Sequence, residues 1–234
     1  ADDAAGFAIA ERMTAEVRGL NMATKNANDG LAMLATIENA TNDVTDMLQR
    51  VRELAVQASN DTNSSTDREY LQKEVDSLLN EINRVASQTV YNDQVVLDGA
   101  HTGQLQVGTD NGQNITFNIK SIDTDTLGLT GSGTGNATNG AFVAGSTPSV
   151  SSSNSDSVTS AEDITSTSGD GVAGLSVLTA SDAEAALTKI TAAIEQVAGN
   201  RAEYGAMANR LEYTVSNLMN VAEFTTAARS RIED

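Results

Sequence analysis

Cysteine and tryptophan are absent from this sequence, and proline occurs once, as Pro148. Without cysteine the protein can form neither disulfides nor thiolate sites. Aromatic residues make up only 3% of its 234 residues, which argues against a thick globular core and favours thin packing between helices. No run of about 18 apolar residues occurs, so no membrane-spanning helix is predicted.

Basic residues are also scarce, because 14 Lys and Arg stand against 32 Asp and Glu and give a net charge of −18. None of the 14 lies between Lys120 and Lys189. A charge of this sign disfavours binding to nucleic acid or to an anionic membrane surface. We therefore expect neither among the partners of this protein.

Two long helices are predicted, one near each end of the sequence, because apolar residues recur there at alternating intervals of four and three. They are expected over residues 3–58 and from Ser181 to the last residue. At about 1.5 Å per residue each would extend roughly 80 Å, which predicts an elongated rod. The first seam is Ile9, Met13, Glu16, Leu20, Ala23, Ala27, Gly30, Leu34, Ile37, Thr41, Val44, Leu48 and Val51. The last seam is Leu187, Ile190, Ile194, Val197, Arg201, Tyr204, Ala208, Leu211, Val215 and Leu218.

A shorter helix is predicted to return along half of the first. Residues 59–65 form a polar turn, Thr66 with Glu69 is a candidate capping box, and the helix is expected to end near Thr89. A second candidate capping box, Ser181 with Glu184, would begin the last helix. The seam of the return helix is Leu71, Val75, Leu78, Ile82 and Val85.

Glycines interrupt the first helix at Gly6, Gly19 and Gly30. Each costs about 1 kcal/mol of helix propensity relative to alanine. We interpret them as places where another helix approaches closely.

Residues 94–120 change to an alternating pattern. Leu105 and Val107 precede the turn sequence Asp110–Gly112, and Ile115, Phe117 and Ile119 follow it. Asn-Gly between alternating runs predicts a β-hairpin.

A segment rich in Gly, Ser, Thr and Asn follows, with few apolar residues, and is expected to be a loop-rich or small β insertion. The predicted fold is mainly α: an antiparallel rod of two long helices and one shorter return helix, with a β-hairpin and a variable insertion. The rod domain is assigned to residues 1–129 and 175–234, and the outer insertion to residues 130–174.

Several runs resemble bacterial flagellin. Residues 2–6 (DDAAG), 26–30 (NANDG) and 49–57 (QRVRELAVQ) are similar to its N-terminal region. Residues 209–212 (NRLE) and 228–234 (ARSRIED) are similar to its C-terminal region. The resemblance covers about residues 1–100 and 181–234.

The resemblance implies an extracellular structural subunit of the flagellar filament, secreted by the flagellar export apparatus and self-assembling through its helical rods. It also implies that the terminal filament-tube segments are missing from this sequence, which would be monomeric alone. Subunit packing is expected to involve Arg52, Leu54, Arg229 and Arg231. Neither a cofactor nor enzymatic activity is implied.

The same resemblance implies recognition by a Toll-like receptor of animal hosts. The contact residues would be Gln49, Arg50, Glu53, Leu54, Gln57 and Glu74. From spacing alone, the charged members would be ordinary solvated ion pairs worth about 0–1 kcal/mol each. Leu54 lies off the 44/48/51/55 seam, so we expect it to be exposed and to mark the contact surface.

The other polar residues give little indication of a metal or catalytic site. His101 has neither a second histidine nor a cysteine that would make a zinc site, and no recognisable serine nucleophile accompanies it. Asp123 with Asp125, and Glu162 with Asp163, could bind Ca²⁺ weakly but lack the pattern of a twelve-residue calcium loop.

Alternatives to a filament subunit remain open. The polar insertion could make this protein a flagellin-like surface protein or adhesin that recognises a polysaccharide or host ligand, since loops on rigid scaffolds often carry recognition. A hook–filament junction protein would share the rod. An acidic chemoreceptor rod is disfavoured by the hairpin and the insertion.

Overall fold

The computed structural model describes residues 2–130 and 174–233. Its elements are α1 (Asp2–Ala58), α2 (Ser65–Gln88), β1 (Val90–Tyr91), β2 (Gln94–Val95), β3 (Thr102–Gln106), β4 (Asn114–Asn118) and α3 (Ala180–Glu233). The expected insertion over residues 130–174 lies almost entirely outside the described residues.

Helices α1 and α3 lie antiparallel, side by side, and provide the main packing of the molecule. Near one end, Arg229 Nη1 of α3 donates to Thr14 Oγ1 of α1 at 3.3 Å. Farther along, Leu211 Cδ1 lies 3.4 Å from the position that a Cβ on Gly30 would occupy. Helix α2 returns along the final part of α1. The mainly α rod with one shorter return helix is therefore confirmed.

The predicted seam of α1 is buried from Leu20 to Val51. It fails toward the start of the helix, where Ile9 and Glu16 are exposed. In α2 the buried residues are Val75, Leu79, Ile82 and Ala86, so the predicted positions 78 and 85 were each one residue early.

Both predicted capping boxes were misplaced. Helix α2 is capped two residues earlier than expected: Ser64 Oγ accepts from the Asp67 amide at 3.2 Å, and Asp67 Oδ2 accepts from the Ser64 amide at 3.0 Å. Helix α3 begins at Ala180, and Thr179 Oγ1 accepts from the Asp182 amide at 3.0 Å. In each case an earlier hydroxyl residue satisfies the free amides of the first turn.

Two of the three glycines of α1, Gly19 and Gly30, lie closest to the β3–β4 hairpin. A Cβ on Gly19 would lie 2.7 Å from Thr109 Cγ2, and one on Gly30 would overlap Leu105 Cδ1. Only Gly6 faces α3 alone. A Cβ on Gly6 would lie 3.8 Å from Ile232 Cγ2, an ordinary contact distance. The interpretation that another helix explains all three was therefore wrong, because the β3–β4 hairpin lies on the same side of α1.

The predicted β3–β4 hairpin is present, with Leu105 opposite Ile115 and Gly103 opposite Phe117. Its strands begin and end earlier than the alternation suggested. In the turn, the Gln113 amide donates to the Asp110 carbonyl at 3.3 Å, and Gly112 has φ of +87°.

An additional hairpin, β1–β2, was not predicted. Its loop is Asn92-Asp93, and both residues have positive φ, 49° and 62°. This is the conformation of a two-residue type I′ turn. The two-residue turn geometry therefore occurs at Asn92-Asp93 instead of at the Asn-Gly sequence.

Side chains of α1 and α3 form hydrogen bonds with the main chain of β3 and of the segment that follows β4. Asn26 Nδ2 of α1 donates to the Gln106 carbonyl at 3.1 Å, and the Tyr204 hydroxyl of α3 accepts from the Lys120 amide at 3.0 Å. Burial raises the pKa of Tyr204 above its ordinary value. These contacts attach the hairpin to both long helices.

Candidate recognition and assembly surface

An ion-pair cluster joins α1 to α2. Arg50 Nε and Nη2 both donate to Glu74 Oε1, at 2.9 and 2.8 Å, and Arg50 Nη1 donates to Glu53 Oε2 at 3.0 Å. Hydrogen bonds to Glu74 first, and to Glu53 second, raise the pKa of Arg50 above its ordinary value. All three side chains are about half exposed or more, so the cluster is available to a partner and adds little to the free energy of folding.

The helix register brings these three residues together. Farther along the same antiparallel pair, Arg68 Nε of α2 donates to the Ala58 carbonyl of α1 at 2.8 Å. Moving eight residues back along α1 and six forward along α2 reaches Arg50 and Glu74. The length of the turn between the helices therefore decides which carboxylate meets Arg50.

Beside the cluster, a shallow groove lies between α1 and α3. Its lining residues are Gln49, Arg52, Glu53, Val56 and Ile194. Val56 is an exposed apolar residue in this groove, and Gln57 is exposed next to it. Five of the six predicted receptor-contact residues (Gln49, Arg50, Glu53, Gln57 and Glu74) are thus exposed, on α1 and on the adjoining α2.

Leu54 does not belong to this exposed surface, contrary to the prediction. Its side chain is 1% exposed and lies in the same buried cluster as Val75 and Leu79 of α2. The predicted seam of α1 is a single stripe, and it does not show which side of α1 the predicted return helix covers. Because α2 covers a second side of α1 here, a residue off the first seam is buried as well.

The arginines predicted to pack against neighbouring subunits differ in their surroundings. Arg52 and Arg231 are exposed. Arg229 is partly buried and binds Thr14 of the same polypeptide. Of the three, Arg52 and Arg231 are the ones whose exposure would let them pair with a neighbour.

Exposed aromatic residues on the long helices were missed at the sequence level. Phe7 on α1 is 68% exposed, and Tyr213 and Phe224 on α3 are 79% and 74% exposed. All three lie off the predicted seams, which was the available signal. Each places a large apolar side chain in contact with solvent.

His101 and Asp123 make local structural contacts. The ring of His101 packs against Phe117, with ring centroids 5.6 Å apart. Asp123 Oδ1 accepts from the Thr126 amide at 2.7 Å, within a local turn. Glu162 and Asp163 lie outside the described residues. Among residues 2–130 and 174–233, no helix is both long and apolar enough to cross a lipid bilayer.

Family comparisons match both ends of the sequence. The bacterial flagellin N-terminal helical region matches residues 1–102, and the bacterial flagellin C-terminal helical region matches residues 187–234. These ranges include most of α1, α2 and α3.

Curated relatives extend the match. A flagellin of Halalkalibacterium halodurans is 36% identical over 234 residues, covering 100% of this protein and 71% of the relative. A flagellin of Salmonella paratyphi A is 50% identical over 128 residues, covering 55% of this protein and 26% of the relative. The phase 2 flagellin of Salmonella abortus-equi is 41% identical over 186 residues, covering 80% of this protein and 34% of the relative. The sequence thus spans most of one relative and about a third or less of the other two.

Two solved structures have a similar fold. Bacillus cereus flagellin superposes with a TM-score of 0.58 at 24% identity, covering 83% of this protein and 88% of the other. FliC from Burkholderia pseudomallei superposes with a TM-score of 0.56 at 26% identity, covering 77% of this protein and 99% of the other.

Proposed function

The protein belongs to the bacterial flagellin family, and we infer that it is a structural subunit of the flagellar filament, outside the cell. The observation that carries this assignment is the match of both family regions to the paired helices of the rod. A subunit of this kind acts by packing against its copies and needs no catalytic residues. No finding favours the alternative of an adhesin.

Self-association would use the flanks of the rod. Burying Phe7, Tyr213 and Phe224 against neighbouring rods would remove apolar area from water, at about 25 cal/mol per Å². The net charge of −18 opposes close packing of copies, so salt should favour assembly by screening that repulsion. Exposed Arg52 and Arg231 could pair with acidic residues of a neighbour. Head-to-tail contacts that do not close produce an open filament.

The test is polymerisation of the complete protein, followed by sedimentation and electron microscopy as salt is raised. We expect filaments from the wild-type protein, and fewer or none from the triple variant Phe7→Ser, Tyr213→Ser, Phe224→Ser. A matched control replaces exposed polar residues of the same helices: Asn21→Ser, Asn209→Ser, Asn220→Ser. Wild-type protein that stays monomeric at high concentration and salt would refute the assignment.

We further propose that the present 234 residues are monomeric by themselves, and that complete subunits leave the cell through the flagellar export apparatus. The support is the resemblance to flagellin, together with the share of each relative that these residues cover: 71% of the Halalkalibacterium halodurans flagellin, and 26% and 34% of the two Salmonella flagellins. Light scattering coupled to size-exclusion chromatography checks the first point. A mass of twice that of one molecule would contradict it.

A second proposal concerns host recognition. We propose that Arg50, Glu53 and Glu74, with Gln49 and Gln57, contact a Toll-like receptor. The resemblance motivates this choice, and the exposed ion-pair cluster with its adjacent groove supports it. Leu54 is omitted as a direct contact because it is buried, and truncating it should lower stability by about 2–5 kcal/mol.

A receptor-reporter assay with folded monomers tests this second proposal. Arg50→Ala and Glu74→Ala should each weaken signalling while leaving the thermal midpoint nearly unchanged. Arg84→Ala is the matched control, because Arg84 Nε pairs with Glu81 at 2.8 Å on α2 in a similarly exposed position. Equal loss of signal in Arg50→Ala and Arg84→Ala would argue against a specific contact at Arg50.

A further inference from the structure

We propose that Asn111 is a site of spontaneous deamidation and isoaspartate formation. It lies at the tip of the β3–β4 hairpin, in the sequence Asp110-Asn111-Gly112. Asn111 and Gly112 are exposed, and a Cβ at Gly112 would meet nothing within 4 Å. The site is therefore open to water, and the residue after the asparagine has no side chain to obstruct its amide nitrogen.

The chemistry requires only water. The Gly112 amide nitrogen attacks Cγ of Asn111, a new C–N bond forms, and the bond from Cγ to Nδ2 breaks. Ammonia leaves with the proton that Gly112 nitrogen gives up, and a five-membered succinimide remains. Water then adds to one of the two ring carbonyls and breaks one ring C–N bond. Opening at one carbonyl leaves aspartate, and opening at the other leaves isoaspartate.

Three other sites are less suited to ring closure. Asn92, in the β1–β2 turn, is followed by Asp93, whose own side chain crowds the amide. Asp98 precedes a glycine, but a Cβ position on Gly99 lies only 2.9 Å from Ser121 Cβ, so that segment is packed against its neighbour. Asn217 lies within α3, where the next amide is held in the helix. Asn111 is the exposed asparagine of this group with a glycine after it.

Modification would alter both charge and backbone. A carboxylate at residue 111 would stand next to Asp110 in a protein that is already strongly acidic. Isoaspartate would also add a methylene to the main chain inside a turn closed by the Gln113–Asp110 hydrogen bond and by the Val107 amide donating to Gln113 at 2.9 Å. The neighbouring Thr109 packs against Gly19 of α1, so the change would reach the place where the hairpin contacts the rod.

The experiment incubates the folded protein at mildly alkaline pH and follows its peptides by mass spectrometry, with an isoaspartyl methyltransferase as the probe for isoaspartate. We expect the peptide containing Asn111 to gain aspartate and isoaspartate several-fold faster than peptides containing Asn92 or Asn217. Asn111→Gln is the matched control, because its longer side chain disfavours the ring, and it should remove methylation from that peptide.

Two results would overturn the proposal. One is modification of Asn92 as fast as Asn111 in the folded protein. The other is an Asn111 peptide that stays unchanged in folded protein but reacts in protein unfolded by urea at the same pH, which would mean that the turn protects the site. Asn139 also precedes a glycine, but it lies outside the described residues. Its modification is measured on a separate peptide.

Discussion

Gly99 lies directly against the main chain of Ser121. A Cβ at residue 99 would be 2.9 Å from Ser121 Cβ and 3.1 Å from the Ser121 amide nitrogen, and Gly99 has φ of +80°. A side chain is therefore opposed both by the left-handed backbone and by a neighbour that cannot rotate away. This contact joins the segment before β3 to the segment after β4.

Replacing Gly99 with alanine should lower the free energy of unfolding by roughly 2–5 kcal/mol. The left-handed conformation costs alanine about 1–2 kcal/mol, and the crowding adds about 1–3 kcal/mol. Gly128→Ala is the matched control, because Gly128 has φ of +69° but nothing within 4 Å of a Cβ. Urea unfolding of both variants separates the two costs. Equal losses would show that Ser121 imposes no steric penalty.

The side chain of Gln72 on α2 forms two hydrogen bonds with the main chain of the segment that leads into α3. Its Nε2 donates to the Leu175 carbonyl at 2.9 Å, and its Oε1 accepts from the Val177 amide at 2.7 Å. Gln72→Ala should lower stability by about 1–3 kcal/mol, since each net hydrogen bond contributes about 0.5–1.5 kcal/mol. Hydrogen exchange of the Val177 amide should become faster.

Gln88→Ala serves as the control for Gln72. Gln88 ends the same helix, is exposed, and accepts only a surface contact from Arg84 at 3.0 Å. We expect its stability and its Val177 exchange to match the wild-type protein. Unchanged exchange in Gln72→Ala would disprove the pairing.

Asn200 occupies the interface between α1 and α3 with 3% of its surface exposed, and its Nδ2 has no hydrogen-bond partner within the described residues. Moving eleven residues along each helix from the Gly30–Leu211 contact places buried Thr41 opposite it. Asn200→Leu should raise the free energy of unfolding by about 1–3 kcal/mol, because an unsatisfied buried amide is removed. Asn217→Leu, on the exposed side of α3, should give no such gain. A loss of stability in Asn200→Leu would contradict this account.

The cap of α2 should weaken in acid. Hydrogen bonds from the Ser64 side chain first, and from its backbone second, lower the pKa of Asp67 below its ordinary 3.8. Because the folded-state pKa is the lower one, the stabilisation is complete above the ordinary value and is lost as pH falls through the lowered value. The Asp67 carboxyl chemical shift, followed by NMR, measures this titration. Ser64→Ala should return it toward the ordinary value, and an identical titration in both proteins would exclude the cap as the cause.

The rod could be predicted from the sequence because burial between two helices requires periodic apolar residues. That argument held from Leu20 to Val51, where α3 covers one side of α1. It failed at Leu54, because the pattern predicted the return helix but not which side of α1 that helix covers. It failed at Ile9, which keeps 41% of its surface exposed.

The candidate site was less predictable than the rod. Spacing within α1 brings Arg50 near Glu53, but the contact with Glu74 depends on the exact end of α1, the turn and the cap at Ser64. The expected cap at Thr66 would have begun α2 two residues later. Identification of the paired carboxylate came from resemblance and was not contained in the helical pattern.

The pairing of α1 with α3 also has a kinetic consequence. Thr14 meets Arg229 across a sequence separation of 215 residues, so the first helix cannot cover its apolar stripe until the last one has been synthesised. Contacts between such distant parts of a polypeptide slow folding, because the loop entropy is lost before the contacts are gained. The apolar stripe of α1 that α3 covers in the folded protein therefore stays exposed on the nascent polypeptide until α3 has been made.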